Sequence, residues 1–359
     1  MPAVAPGVSA ARAALTTFQR GALPTFRLRP ALVALVVLST VVGVFAFIRA
    51  FPTVWGVDAQ RNLDAASALL GGSFGSVPLY LYSPLASLLT VPALLMPPAV
   101  AIAGWFAVKL WVLLVGAAIA TRRLAALDRA LVAIALVTFL PILYDLEVGN
   151  VTVFVLAGIV LVAWNRDRYA TGILLGLLLA TAPKPQLIPV LLWMVIANRR
   201  ALAGALTTAV AATFVGVVVA GIPAYQTWFA LLRAPAYLSS SDILNLAIWQ
   251  QPPVILAVAL VGSLVAFVVA IRRGYWPGLL AAMCLGLLLA PYTLIYAAGM
   301  LPAAAPATVR AAPVAALVLL LVAPAAILLA YPAWVAVVLG LAALLPAAAW
   351  PRRNSGPGL

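Results

Sequence analysis

Histidine is absent from all 359 residues, and cysteine occurs once, at Cys284. The first absence removes the usual neutral-pH proton shuttle, every Ser/His or Cys/His nucleophile arrangement and the commonest zinc ligand. The second excludes an internal disulfide, so the chain carries no redox signature. Carboxylates are scarce too: seven Asp and Glu stand against 21 Lys and Arg, and charged residues make up only 8% of the chain. Any acid–base chemistry must run on those few carboxylates, on Tyr, or on the only two lysines, Lys109 and Lys184.

What fills the space is apolar. A chain that is 66% hydrophobic, with a mean hydropathy of +1.19, cannot form a water-soluble globule with a polar surface. It reads as an all-α polytopic membrane protein. A formal net charge of +14 would suggest nucleic acid in a soluble protein. Here the arginines flank apolar runs, where they face the cytoplasm and anionic lipid, so no nucleic-acid partner is expected.

Residues 1–29 carry Arg12, Arg20, Arg27 and Arg29, and an apolar run of membrane-helix quality follows at 31–47. The basic stretch is too long for a signal peptide, and no small-residue cleavage site comes after the run, so a retained cytoplasmic tail is expected. Further basic clusters lie at Arg122, Arg123 and Arg129, at Arg166 and Arg168, at Arg199 and Arg200, at Arg272 and Arg273, at Arg310, and at Arg352 and Arg353. Placing them all inside leaves residues 51–80, 145–150, 183–186, 222–251 and 290–296, and a turn near Tyr331 and Pro332, on the outside. Residues 79–121 have apolar length for two crossings, but the charges at their ends require an odd number. One crossing is therefore expected at 99–121, with 83–97 lying along or dipping into the outer face before Pro97 and Pro98. The total is about twelve transmembrane helices in one domain, 30–351, whose last part (301–351) is scaffold. Tails at 1–29 and 352–359 place both termini in the cytoplasm, and no internal repeat is present.

This topology sorts the carboxylates. Asp128 and Asp167 fall among arginines inside, whereas Asp58, Asp64, Asp145, Glu147 and Asp242 fall outside, so chemistry belongs to the outer face. In "VWGVDAQRNLDAASALLGG" (54–72), an amphipathic helix along the outer surface after the first span would set Arg61 about 60° from both Asp58 and Asp64. The alternative is local: Asp58 caps, Arg61 snorkels and Asp64 pairs with it, each worth about 1 kcal/mol or less. In "LATAPKPQLIP", Lys184 stands between two prolines at a helix break. It either snorkels to lipid phosphate or is a fixed cation for a substrate phosphate. Lys109, in "FAVKLWV", lies mid-span and faces the bundle interior. "YDLEVGNVT" brings Asp145, Glu147, Asn150 and Thr152 to an outer turn, where Asn150 is expected to cap the next helix. Glu147 with Asp145 is the alternative site for Mg²⁺, but two carboxylates make a sparse ligand set and no metal or cofactor is expected.

Taken in order, the early outer Asp, "DAASALLGG", "LYLYSPLASLLTVPALLMP", "LEVGNVTVFVLAG" and "GILLGLLLATAPKPQLIPVLLW" resemble glycosyltransferase family 87 over roughly residues 30–300. The resemblance implies a GT-C-like bundle that moves mannose from a polyprenyl-phosphate sugar donor to a glycolipid or glycan acceptor at the outer face of the plasma membrane. It makes Asp58 the general base, with Lys184, Arg61 and Arg233 around the donor phosphate. Asp64, Tyr80, Tyr82, Glu147, Asn150, Asp242, Tyr292 and Tyr296 then become candidates for substrate contact, and membrane lipids are further partners. Ser83 replaces the first proline of the family's Tyr-rich segment. The family's Gly-Gln-x-Asn turn reads Gly149, Asn150, Val151, Thr152. The late motif, "LAPYTLIYAAG", has Pro291, Tyr292 and Tyr296 but neither Asp nor His. Two rival readings stay open: a lipid or small-molecule transporter or flippase, for which Lys109 speaks, and an inactive scaffold, for which the altered motifs speak.

Overall fold

A computed structural model describes residues 55–78, 80–165, 167–233, 249, 252–290 and 293–304. It also describes Val33, Val36, Val37, Thr40, Val41, Val44, Phe45 and Ile48 as helical positions of the first apolar run. The tails, Asp242, Pro291, Tyr292 and the chain from 305 onward lie outside the described residues.

The described chain is helical, and prolines set many of the starts because a missing N–H costs nothing in the first turn. The order is α1 (Val57–Leu70), α2 (Pro84–Thr90), a 3₁₀ turn (Val91–Leu95), α3 (Pro98–Thr121), α4 (Ala126–Val137) and α5 (Leu140–Val148). There follow α6 (Thr152–Asn165), a 3₁₀ turn (Tyr169–Gly172), α7 (Ile173–Thr181), a 3₁₀ turn (Pro185–Leu187) and α8 (Ile188–Ala197). Last come α9 (Arg199–Ala220), α10 (Ile222–Leu232), α11 (Pro253–Arg273), α12 (Tyr275–Leu289) and a 3₁₀ segment (Ile295–Ala304). Proline occupies the first turn of α2, α3, α5, α8, α10 and α11.

The single crossing expected at 99–121 has its counterpart in one long helix. Pro98–Thr121 is one continuous helix, and the preceding stretch is a short α-helix running into a 3₁₀ turn. The expected total of about twelve crossings includes segments at 31–47 and beyond 304 that lie largely outside the described residues. Among the described residues α3, α9 and α11 are long and apolar enough to cross, and Arg129–Val137 with Leu140–Val148, bent by 50°, make a fourth as one broken span. α6, α7, α8 and α12 have 9 to 15 residues, about 14–22 Å against a hydrocarbon layer of about 30 Å. Charge parity counts connections and is blind to helix length.

The amphipathic helix expected after the first apolar run is α1. It buries Ala59, Asn62, Leu63, Ala65 and Ala66 and turns Asp64 and Ser67 outward. The core runs through α6, α8, α12 and the last 3₁₀ segment, around Trp193, Met194 and Leu279. α7 and α9 form the tightest seam. A methyl on Gly172 or Gly176 would run into the α9 backbone at Ala201 or Ala205, and one on Gly204 into Tyr169, the close approach that small residues permit between membrane helices.

Two sets of connections gather at opposite helix ends. At one, Gly56 N–H donates to the Glu147 carbonyl (2.7 Å), Ser83 N–H to that of Thr181 (2.7 Å) and Trp228 Nε1 to that of Leu81 (3.0 Å). Gln186 Nε2 there donates to Thr293 Oγ1 (3.0 Å). At the other, Arg122 donates to the Trp164 carbonyl (3.0 Å) and Arg200 N–H to Asp167 Oδ1 (2.7 Å). Asn198 Nδ2 donates to the Tyr275 hydroxyl (2.7 Å) at that same end. Where described, the segments assigned to one side by charge thus meet one another, and the arginine clusters lie at the opposite end.

Candidate active site

Asp58 sits in the first turn of α1, in from the left-handed Gly56 (φ 68°). Its Oδ1 pairs with Arg61 Nη1 at 3.0 Å, the i,i+3 contact its spacing implied. Its Oδ2 accepts from Asn150 Nδ2 at 2.7 Å, across 92 residues of sequence. Asn150 is buried, and its Oδ1 accepts from Lys184 Nζ at 3.0 Å and from the Val151 N–H at 2.8 Å. One carboxamide therefore joins the carboxylate of α1 to the ammonium of the Pro183–Pro185 break. Its orientation is fixed, since only the oxygen can face an ammonium and only the NH₂ a carboxylate.

Lys184 lies between two rings, with Nζ 5.8 Å from the centroid of Tyr82 and 5.3 Å from that of Tyr296, within cation–π reach. Removal from water pushes its ammonium down to about 8; Asp145 and Asp58 pull the other way, and Lys109 adds to the lowering. Tyr82 packs edge-on against Tyr80 (5.6 Å), and its hydroxyl has no hydrogen-bond partner among the described residues. Burial holds that phenol well above its ordinary value, with nearby Asp58, Tyr296, Asp145 and Tyr80 adding to the rise, so it stays a donor at neutral pH. Tyr80 is occupied structurally: its hydroxyl accepts from Ser87 Oγ (3.1 Å) and its ring meets Phe74. Ser83 Oγ donates to the Ala180 carbonyl (2.6 Å), so this serine fastens the Tyr80–Ser83 strip to α7.

The turn carrying Asn150 is built by Asp145. Its Oδ1 accepts from Thr152 N–H (2.8 Å) and its Oδ2 from Val153 N–H (3.3 Å), the first amides of α6. Asp145, not Asn150, caps that helix; Asn150 is drawn to Asp58 and Lys184 instead, which corrects the local reading. Lys109 Nζ pairs with Asp145 Oδ2 at 2.8 Å, both side chains fully buried, and also donates to the Asp145 carbonyl. Gly149 ends α5 at φ 82°, with Ala59 of α1 so close that an added Cβ would lie 2.9 Å from its Cβ and N. Trp105 Nε1 clamps the Gly149 carbonyl at 2.7 Å.

The remaining candidates lie around this center or away from it. Glu147 is buried in α5 and holds Gly56 through its carbonyl. Asp64 is exposed and accepts from Gln60 Nε2 (2.8 Å), not from Arg61, so the acid–base–acid stripe reduces to the Asp58–Arg61 pair. Arg233 is exposed at the end of α10 and enters no ion pair among the described residues. Both Asp145 oxygens are engaged by Lys109 and by α6 amides, which leaves the Asp145–Glu147 alternative poor in metal ligands. No group of three or more acidic or Cys side chains suited to a metal occurs among the described residues.

The model of glycosyltransferase family 87 matches residues 80–324, more than half of the chain. The chain belongs to glycosyltransferase family 87. No curated protein and no solved structure matches it. The family 87 match takes in Tyr82, Asn150, Lys184 and Tyr296 and begins downstream of Asp58, which joins them through its 2.7 Å bond to Asn150. Around Asn150 an acid and a cation thus converge within a chain of a membrane glycosyltransferase family. The Lys109–Asp145 pairing is what reasoning from sequence missed. The signal was available: a lysine in the middle of a span needs an anion at its own depth, and the chain has only seven carboxylates.

Proposed function

We propose that this membrane glycosyltransferase moves a hexose, mannose first among the candidates, from a polyprenyl-phosphate donor to a hydroxyl of a glycolipid or glycan at the outer face of the plasma membrane. The observation that carries the reading is the single Asn150 amide held between Asp58 and Lys184. A base and a phosphate-binding cation two hydrogen bonds apart can flank one anomeric carbon.

In the reaction the acceptor oxygen forms a bond to the anomeric carbon as the bond from that carbon to the phosphate oxygen breaks. Asp58 takes the acceptor's proton. Each of its oxygens accepts one hydrogen bond in the resting chain, and a carboxylate has about four lone-pair sites, so a site for that proton remains. Lys184 stabilises the negative charge gathering on the departing polyprenyl phosphate, in a partly dehydrated setting where a fixed charge acts strongly. A single displacement of this kind inverts the anomeric configuration. The Tyr82 hydroxyl is a further donor for phosphate or sugar oxygen, and Arg61 lies within reach of the same region. Leaving-group charge falls to Lys184 rather than to a metal ion. The clustering of acidic connections at one end and arginines at the other supports the outer placement. Lys109, the observation that spoke for a transporter, has its counter-ion in Asp145.

The test is sugar transfer by purified protein in proteoliposomes, with labelled polyprenyl-phosphate mannose and, separately, a labelled nucleotide sugar. Label should move from the lipid donor to the acceptor with inversion. Transfer from the nucleotide sugar alone, or retention of configuration, would overturn the reading.

A further inference from the structure

The geometry points to Lys109 as a positioning residue for the transfer reaction, acting through Asp145 to hold the Asn150 turn and to set the charge felt by Lys184. The inference rests on the proposed roles of Asp58 and Lys184, but its central observation is independent of them. The ammonium of Lys109, in the middle of α3, ties together both ends of the turn. The Asp145 carbonyl it reaches also accepts from Gly149 N–H (3.1 Å) and Asn150 N–H (3.2 Å), closing α5. The Asp145 carboxylate it pairs with opens α6 through Thr152 and Val153. Asn150 lies between these two anchor points, and its side chain joins Asp58 to Lys184. A fully buried ion pair is weak evidence for stability alone, because desolvation opposes the Coulomb gain. Six hydrogen-bonding contacts converging on one residue beside the base give it a different use, namely to fix one geometry.

The pair is also electrically active toward Lys184. The charged and titratable groups around Lys184 are Asp58 and Arg61 from α1, Tyr82 from the Tyr80–Ser83 strip, Asp145 and Glu147 from α5, Lys109 from α3 and Tyr296 from the last 3₁₀ segment. α12, packed against the Pro185–Leu187 turn, carries Cys284, whereas its Tyr275 lies at the opposite helix ends against Asn198. Asp145 favours the ammonium form and Lys109 opposes it. Removing one member of the pair should therefore move the Lys184 titration one way, removing the other should move it the opposite way, and removing both should nearly cancel.

Two lysines in the whole chain make this directly measurable. Reductive ¹³C-methylation of the folded protein should label Lys184 and leave the fully buried Lys109 unmodified, and the Lys184 resonance can be followed against pH without any substrate. Lys109→Met should raise its midpoint and Asp145→Asn should lower it, each by at least half a pH unit. The double variant Lys109→Met/Asp145→Asn should return it to within about 0.3 of the parent, and it guards against a single variant that fails to fold. In the transfer assay each single variant should lose at least tenfold in kcat with KM for the donor changed less than threefold. Shifts of the same sign in both singles, a double variant displaced as far as either single, or unchanged kcat would overturn the inference. Absence of transfer by the parent chain would instead count against the proposed function, and the titration would still decide the electrostatic coupling.

Discussion

Gly149→Ala tests the coupling between α1 and the Asn150 turn. The residue sits at φ 82°, where an L-side chain costs about 1–2 kcal/mol. The added Cβ would meet the Cβ and N of Ala59 at 2.9 Å, where van der Waals contact begins near 3.4 Å. α1 and the turn must separate by about 0.5 Å, and overpacking of that kind adds about 1–2 kcal/mol. Asp58 is the neighbour of Ala59, so its 2.7 Å bond from Asn150 should stretch to about 3.2 Å, the long edge of a hydrogen bond. Base and cation would then be misplaced by an amount that typically costs about 10- to 100-fold in rate. Thermal unfolding of the purified protein and kcat with polyprenyl-phosphate mannose, measured side by side, should show a lower Tm and a kcat loss in that range. Ala59→Gly in the same chain removes one of the two close contacts and should recover part of the rate without recovering the cost of the positive φ. A lowered Tm with unchanged kcat would refute the coupling, since the turn would then be mere structure.

Asp58→Asn should leave the protein inserted and folded, because the Arg61 partner is part-exposed, while transfer falls by a factor of about 10² or more as the acceptor proton loses its destination; Asp64→Asn should cost less in the same assay. Lys184→Gln should weaken binding of polyprenyl phosphate and slow turnover, and Lys184→Arg should keep part of both, read by equilibrium binding and by kcat. For the parent chain, binding of that phosphate should decline as pH rises through about 8, where the folded protein loses the Lys184 ammonium. The unfolded chain keeps that proton up to about 10.5, so this lysine makes folding stability rise with pH between those values. A cysteine placed at position 58 should react with an impermeant reagent from outside in oriented vesicles and one at position 167 should not; the reverse pattern would invert the topology.

Much of the frame was legible because its signals are local. Prolines at 84, 98, 141, 189, 223 and 253 open helices where a missing N–H is harmless, and the separation of acidic from basic connections carried the two-ended layout. The Asp58–Arg61 pair followed from three-residue spacing. What failed to show was set by partners far away in sequence. Nothing in "YDLEVGNVT" says that Asp145 reaches forward seven residues to cap α6, leaving Asn150 to turn toward a carboxylate 92 residues earlier. Lys109 and Asp145 share no helix and no spacing rule, only depth. Helix length was hidden for another reason: helices such as α7 and α8 are lengthened by 3₁₀ turns and still fall short of a bilayer, a property that arginine positions do not encode.

The seam between α7 and α9 bears on how a donor with a long tail could arrive. Gly172, Gly176 and Gly204 bring the two backbones so near that not one methyl group fits between them, and an isoprenoid chain with its methyl branches is wider than that. Lateral traffic from the bilayer is closed along that line, and prying it open would break contacts along the whole shared length rather than swing a single side chain. The two helices form a fixed post, and a doorway for lipid must be cut elsewhere in the wall, with the post as one of its jambs.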